Sequence, residues 1–221
     1  MSPAKDSLAQ AAADARYLLS RQYPRERVLR VVGDRWDLNA AQRHVLRRGV
    51  FAPGLAQARQ ERLITLDGCL NRVVGIDGHN VLITLETALS GGRLILADDG
   101  VVRDIAGQGG NYRPGPATDE AAGLMIKALV LAKVDSAQIF LDAPISKSGE
   151  LAAKLRELMA QARLAGQAQA VAVPERQLRE HQGPVASSDS ALIDQVAEPM
   201  DLAGAIIRTL KPAPKLETLT T

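Results

Sequence analysis

A chain of 221 residues, 46% hydrophobic and 24% charged, is long enough to bury a sizeable core and has no apolar run of membrane-spanning length. Its single cysteine and three dispersed histidines exclude a disulfide scaffold and a clustered zinc site, and its six aromatics are too few for a face that stacks several bases. The net charge of +2 divides unevenly: residues 1–66 carry 12 Lys and Arg against 6 Asp and Glu, and residues 67–221 carry 15 against 19.

Residues 1–66 read as a basic helical module. Leu8, Ala12, Ala15, Leu18 and Leu19 recur on one face at helical spacing, and Val28, Leu29, Val31 and Val32 continue the pattern after Pro24, which suits a first turn. Asn39 is placed to cap a third helix carrying Val45 and Leu46. Pro53-Gly54 marks a turn, with room for a short helix over residues 55–60. The start of the chain has no apolar stretch of the secretory kind, which predicts a cytoplasmic location. The surplus of arginine, with Arg43, Arg47 and Arg48 sharing part of one helix surface, fits either a phosphate-attracting face or a solvated one.

From residue 67 the period changes. Strand-length apolar runs at 72–76, 93–97, 138–141, 168–173 and 184–186 alternate with helical patterns at 81–89, 118–132, 149–165, 191–196 and 202–210. This alternation predicts an α/β fold, a central mostly parallel sheet flanked by helices, over residues 67–210, preceded by the all-α module and followed by a tail at 211–221.

In such sheets ligands sit outside the carboxyl ends of the strands, and here those ends are acidic: Asp77, Asp98-Asp99, Asp142 and Asp189. Each Asp alone reads equally as an N-cap. Several together repel one another unless a cation intervenes, and a hard ion such as Mg²⁺ or Mn²⁺ prefers these oxygen ligands. Glu120, in the first turn of the helix that Thr118 would cap, is a candidate fourth ligand. Lys147, within Ser146-Lys147-Ser148-Gly149, is placed to neutralise a substrate phosphate. Arg113 and Tyr112, on the Gly-rich loop at 107–115, can touch a nucleic-acid backbone or base. His79 fits a general acid or a hydrogen-bonded turn residue.

The segment Ile76-Asp77-Gly78-His79-Asn80-Val81 resembles the opening motif of the NYN branch of the PIN-like nucleases, and Ala186-Ser187-Ser188-Asp189-Ser190 resembles that group's later strand-end motif. The resemblance spans roughly residues 70–200. It implies a metal-dependent ribonuclease, a phosphodiesterase, with Asp77, Asp142 and Asp189 as catalytic metal ligands, Glu120 beside them, Mg²⁺ or Mn²⁺ as cofactor and RNA as partner. Asn80 and Ser188 are implied in shaping the substrate site. The whole chain is also similar to an uncharacterised prokaryotic family that joins a basic helical front to a PIN-like domain. Two departures stand out: Ala191-Leu192 replaces a further Asp and aromatic, and Pro144 to Gly149 follows Asp142. They keep open a catalytically inactive RNA-binding or adaptor protein. A haloacid-dehalogenase-like phosphatase would use Asp77 as nucleophile, but His79 stands where that scheme wants a second Asp. A homo-oligomer is compatible with either reading.

Overall fold

The structure, a computed structural model, describes residues 3–105 and 113–219. It divides into two compact units, one drawn from the described parts of 1–61, 93–107 and 215–221, the other from 62–92 and 108–214.

In the first unit, helices α1 (Pro3–Ser20), α2 (Arg25–Arg35), α3 (Ala40–Gly49) and α4 (Pro53–Arg62) follow the predicted order. Asn39 caps α3 through a reciprocal pair of bonds with Gln42, each 3.0 Å. Pro53 opens α4 instead of forming a turn, since its fixed φ and missing N–H cost nothing at a helix start. Ala11, Ala12, Ala15, Val28, Val32, Val45 and Leu46 form the buried seam.

The strand at 93–97 does not join the parallel sheet, contrary to its reading above. β2 (Leu94–Leu96) pairs antiparallel with β3 (Val102–Asp104) and parallel with β8 (Leu216–Glu217), in a separate three-stranded sheet. A tight turn at 97–100, with Gly100 at φ +81° and its N–H on Ala97 O at 2.9 Å, folds the chain straight back. Such a turn has no length for a crossover helix, so antiparallel pairing is the only choice. Ile95 and Leu219 complete the helical core, so residues expected to be a tail supply a strand and a core side chain.

The same turn removes Asp98 and Asp99 from the acidic edge. Asp98 accepts from Arg16 Nε and Nη2 at 2.9 and 2.7 Å. Asp99 is wholly buried, held by Arg59 at 2.8 Å and by Arg103 at 2.6 and 2.8 Å. Burial alone would raise its pKa, but the two guanidiniums outweigh that and hold it below the usual carboxylate range. Phe51 packs its ring against three guanidiniums, those of Arg25, Arg59 and Arg103, at 4.4, 4.3 and 5.1 Å.

The second unit is a five-stranded, wholly parallel sheet in the order β5 (Ala165–Val171), β4 (Ser136–Asp142), β1 (Val73–Asp77), β6 (Val185–Ala186), β7 (Pro199–Met200). Side chains alternate across β4. Ile139 and Leu141 lie beside Gly78 at the start of α5 (Gly78–Leu89), whereas Phe140 packs with Leu178 of α8 (Pro174–Glu180) and Leu192 of α9 (Ser190–Gln195) on the other face. Helices α6 (Pro116–Leu131) and α10 (Leu202–Ile207) pack against α5, and α7 (Ser148–Gln161) covers β4 and β5 on that side. The chain steps from β1 outward through β4 to β5, then returns to place β6 on the opposite side of β1. The carboxyl end of β1 is therefore the topological switch point of the sheet, the place where such folds bind ligands.

Candidate active site

Asp77 is the last residue of β1, and its register pairs it with Phe140 while Ile76 pairs with Ala186. Asp142, two residues beyond Phe140, and Ser187, one beyond Ala186, therefore flank it at the same edge. Asp77 is 2% exposed. Its Oδ2 accepts from Asn80 Nδ2 at 2.5 Å and from Ser187 Oγ at 2.9 Å, and its Oδ1 accepts from the Asn80 N–H at 3.4 Å as the cap of α5. Burial pushes the Asp77 carboxyl up to about 7; the bonds from Ser187 and Asn80 oppose the rise, and the Asp142 charge adds to it.

A hydrogen-bonded net spreads from this carboxyl. Ser188 Oγ donates to Asn80 Oδ1 at 3.2 Å, and Ser187 Oγ accepts from the Asp189 N–H at 3.0 Å. Asp189 caps α9, its two oxygens accepting from the N–H groups of Ala191 and Leu192 at 3.2 and 3.3 Å. On the other side, buried His79 lies against Asp142: Nδ1 is 3.0 Å from Oδ2 and 3.0 Å from the Asp142 N–H. Nδ1 can donate to the carboxylate or accept from the amide, not both at once, so the tautomer of His79 decides which contact holds. Gly78 permits this closeness, because a Cβ there would lie 2.6 Å from Leu141 Cδ2 and 3.0 Å from Phe140 O.

The structure thus joins Asp77, Asn80, Ser188 and Asp189 in one net through Ser187, and sets the His79–Asp142 pair beside it, with the Asp142 charge acting on Asp77. Ser187, which was read only as part of a motif, turns out to be its centre. The signal was its place directly after β6, one residue past the ladder. Glu120 is exposed on α6, and no described contact ties it to the net. Thr118 does not cap α6 as expected; Gly115 does, and its N–H donates to the Thr118 hydroxyl at 2.8 Å. The helix consequently begins at Pro116, which places Glu120 beyond its first turn. Lys147 is the left-handed cap residue of α7, at φ +66°, and faces a groove of about 420 Å³ shared with Lys154 and Asp119. Arg113 is exposed, and Tyr112 falls outside the described residues. Among the described residues, no three His, Cys, Asp or Glu side chains form a ready-made metal cage.

Residues 66–205, which contain every one of these site residues, match the family described as "Domain of unknown function (DUF5616)". The chain belongs to this family. Ahead of the DUF5616 segment, residues 7–62 match "Protein of unknown function (DUF434)", which spans α2 to α4 and nearly all of α1. "Uncharacterized protein MJ0935" of Methanocaldococcus jannaschii is 31% identical over 207 residues, covering 93% of this chain and 99% of that protein, so the relative carries both segments in one chain. No solved structure matches. No helix among the described residues is long and apolar enough to cross a membrane.

Proposed function

We propose that the chain is a Mg²⁺- or Mn²⁺-dependent phosphodiesterase that cleaves RNA in the cytoplasm, with Asp77 and Asp142 as its metal ligands. The observation that carries this reading is the buried Asp77 carboxyl at the sheet's switch point, its pKa lifted to about 7 and facing the charge of Asp142. Such an arrangement is costly for an apoprotein and is relieved by a cation. The donor set fits Mg²⁺, which is commonly held by one or two carboxylates together with substrate phosphate oxygens, with no complete protein cage. The likeness of the β1 and β6 end motifs to PIN-like nucleases supports the same chemistry.

When bound, the ion supplies positive charge to the phosphoryl group and acidifies the attacking water. The chain's own residues prepare that step. Asn80 and Ser187 fix the Asp77 oxygens, and His79 orients Asp142 and can hold a proton at Nδ1. Asp189 is available as a third ligand by giving up its bonds to Ala191 and Leu192, and Lys147 and Arg113 offer positive charge to more distant phosphates. Glu120, exposed on α6, is the weakest member of the set. The test is cleavage of end-labelled RNA in Mn²⁺ by the parent and by Asp77→Asn, each with and without EDTA. Cleavage confined to the metal-loaded parent is expected; cleavage by the variant at the parent's rate would refute the assignment.

One observation favours a second reading, an RNA-binding protein without turnover: both Asp189 oxygens are committed to capping α9. RNA retention in EDTA, combined with no cleavage in any divalent ion, would select it.

A further inference from the structure

In the first unit a groove of about 720 Å³ runs between α2 and α3, and four of the side chains lining it are arginines: Arg27 and Arg30 from α2, Arg43 and Arg47 from α3. We infer that this groove is a binding site for the phosphate backbone of RNA. Helical spacing builds it: Arg27 and Arg30 are three residues apart and Arg43 and Arg47 four, so each pair projects from one helix face. Val28, Val32, Val45 and Leu46 of the same helices turn inward to the core, which leaves the basic faces outward.

Two of the four charges are compensated within the unit. Arg47 forms a two-pronged pair with Glu26, 2.7 Å at each prong, and Arg43 pairs with Asp34 at 2.9 Å. Arg27 and Arg30 are exposed and have no ion-pair partner among the described residues. Arg43 is also fixed in place: its Nε donates to Leu38 O at 2.7 Å, and its guanidinium lies in the space left by the missing side chain of Gly33. Two held guanidiniums and two uncompensated ones thus line one groove, with Glu26 as its one carboxylate already paired to Arg47, and arginine suits phosphate because it pairs with the oxygens through parallel N–H bonds.

The chemistry points to backbone contact and away from base reading. Gln42 is tied into the cap of α3 and Arg43 is turned back toward α2, so the first turn of α3 presents few donors for a major-groove edge. No aromatic lines the groove to stack a base. The choice of RNA over other polyanions rests on the phosphodiesterase reading above; the phosphate chemistry of the groove does not.

The test is fluorescence anisotropy of the full chain with a labelled RNA hairpin in EDTA, where cleavage cannot interfere, titrated over a range of KCl. The parent is compared with Arg27→Gln/Arg30→Gln, substitutions at exposed positions outside the core, and with Arg176→Gln/Arg179→Gln at exposed positions on α8 as a charge-matched control. For two lost phosphate contacts the slope of log K against log salt should flatten by about 2, with affinity falling about tenfold or more at 0.1 M salt. The control should bind like the parent. An unchanged slope in the double variant, or no binding by the parent, would overturn the inference even where RNA cleavage is observed. Tighter binding to DNA of the same sequence, or equal displacement by polyglutamate, would overturn the RNA assignment. Absence of cleavage with the salt-dependent binding intact would count against the phosphodiesterase alone.

Discussion

Replacing Asp77 by Asn keeps the side chain's shape while removing the charge that burial opposes. The carboxyl moves from an ordinary value of 3.8 to about 7 on folding, so between those values the folded chain binds a proton that the unfolded chain releases. The sign follows: the contribution of Asp77 is undisturbed below about pH 4 and turns against folding as pH rises toward 7. The whole difference corresponds to about 4 kcal/mol, of which about 2.5 kcal/mol falls between pH 5 and pH 8. The Asn variant has no such dependence, but its amide cannot reproduce every bond accepted from Asn80 and Ser187, a loss of about 1 kcal/mol at any pH. Thermal unfolding of parent and variant in EDTA at pH 5 and pH 8 measures the difference. Relative to the parent, the variant's midpoint should rise by about 5–10 °C between the two pH values for a chain of this length. Every other titrating group is shared, so the comparison reports this carboxyl together with its coupling to Asp142. An offset that stays constant with pH would refute the reasoning, leaving Asp77 as an ordinary helix cap.

Asp99→Ala removes the carboxylate that two buried arginines share, and a loss of about 3–5 kcal/mol is expected in urea unfolding. Glu26→Ala, which opens the exposed pair with Arg47, should cost less than about 1 kcal/mol in the same assay. Gly78→Ala forces α5 away from Leu141 and Phe140, so a loss of about 1–3 kcal/mol is expected, with crystallography showing Asn80 displaced from Asp77. A chain ending at residue 214 loses β8, the bond from Arg16 to Leu219 O at 2.9 Å and the two 2.9 Å bonds between Arg93 and Glu217. Hydrogen exchange should then quicken across α1 and α3, and unchanged protection there would refute the role given to this segment.

Much of the site was legible because its signals are local. An apolar run ending in Asp, then Gly78 and Asn80, describes both a buried strand and the cap of the next helix, and the structure uses Asp77 for both. The same logic located Asp142 and Asp189. Where the reading failed, the deciding contact was distant or ambiguous. The run at 93–97 has the same apolar pattern whichever sheet it joins, and only the Asp-Asp-Gly turn after it signalled a hairpin. Asp98 and Asp99 look like strand-end acids until Arg16 and Arg59, 82 and 40 residues away, are brought to them. Helix α8 was missed because its polar sequence offers little periodicity, although Pro174 at its start was a usable cue. The glycine cap of α6 went unread because a backbone cap leaves no side-chain signature, and Thr118 serves it from inside the helix.

The first unit takes its pieces from the front, the middle and the far end of the chain, and this ordering constrains how the polypeptide can mature on the ribosome. Helices α1 to α4 emerge early, yet Leu219 and the strand that flanks β2 arrive only after the entire parallel sheet has been synthesised. Until then the seam around Val45 and Ile95 lacks part of its covering. The five-stranded unit has all of its strands before residue 201 is made, so a segment synthesised after that sheet completes the unit begun before it.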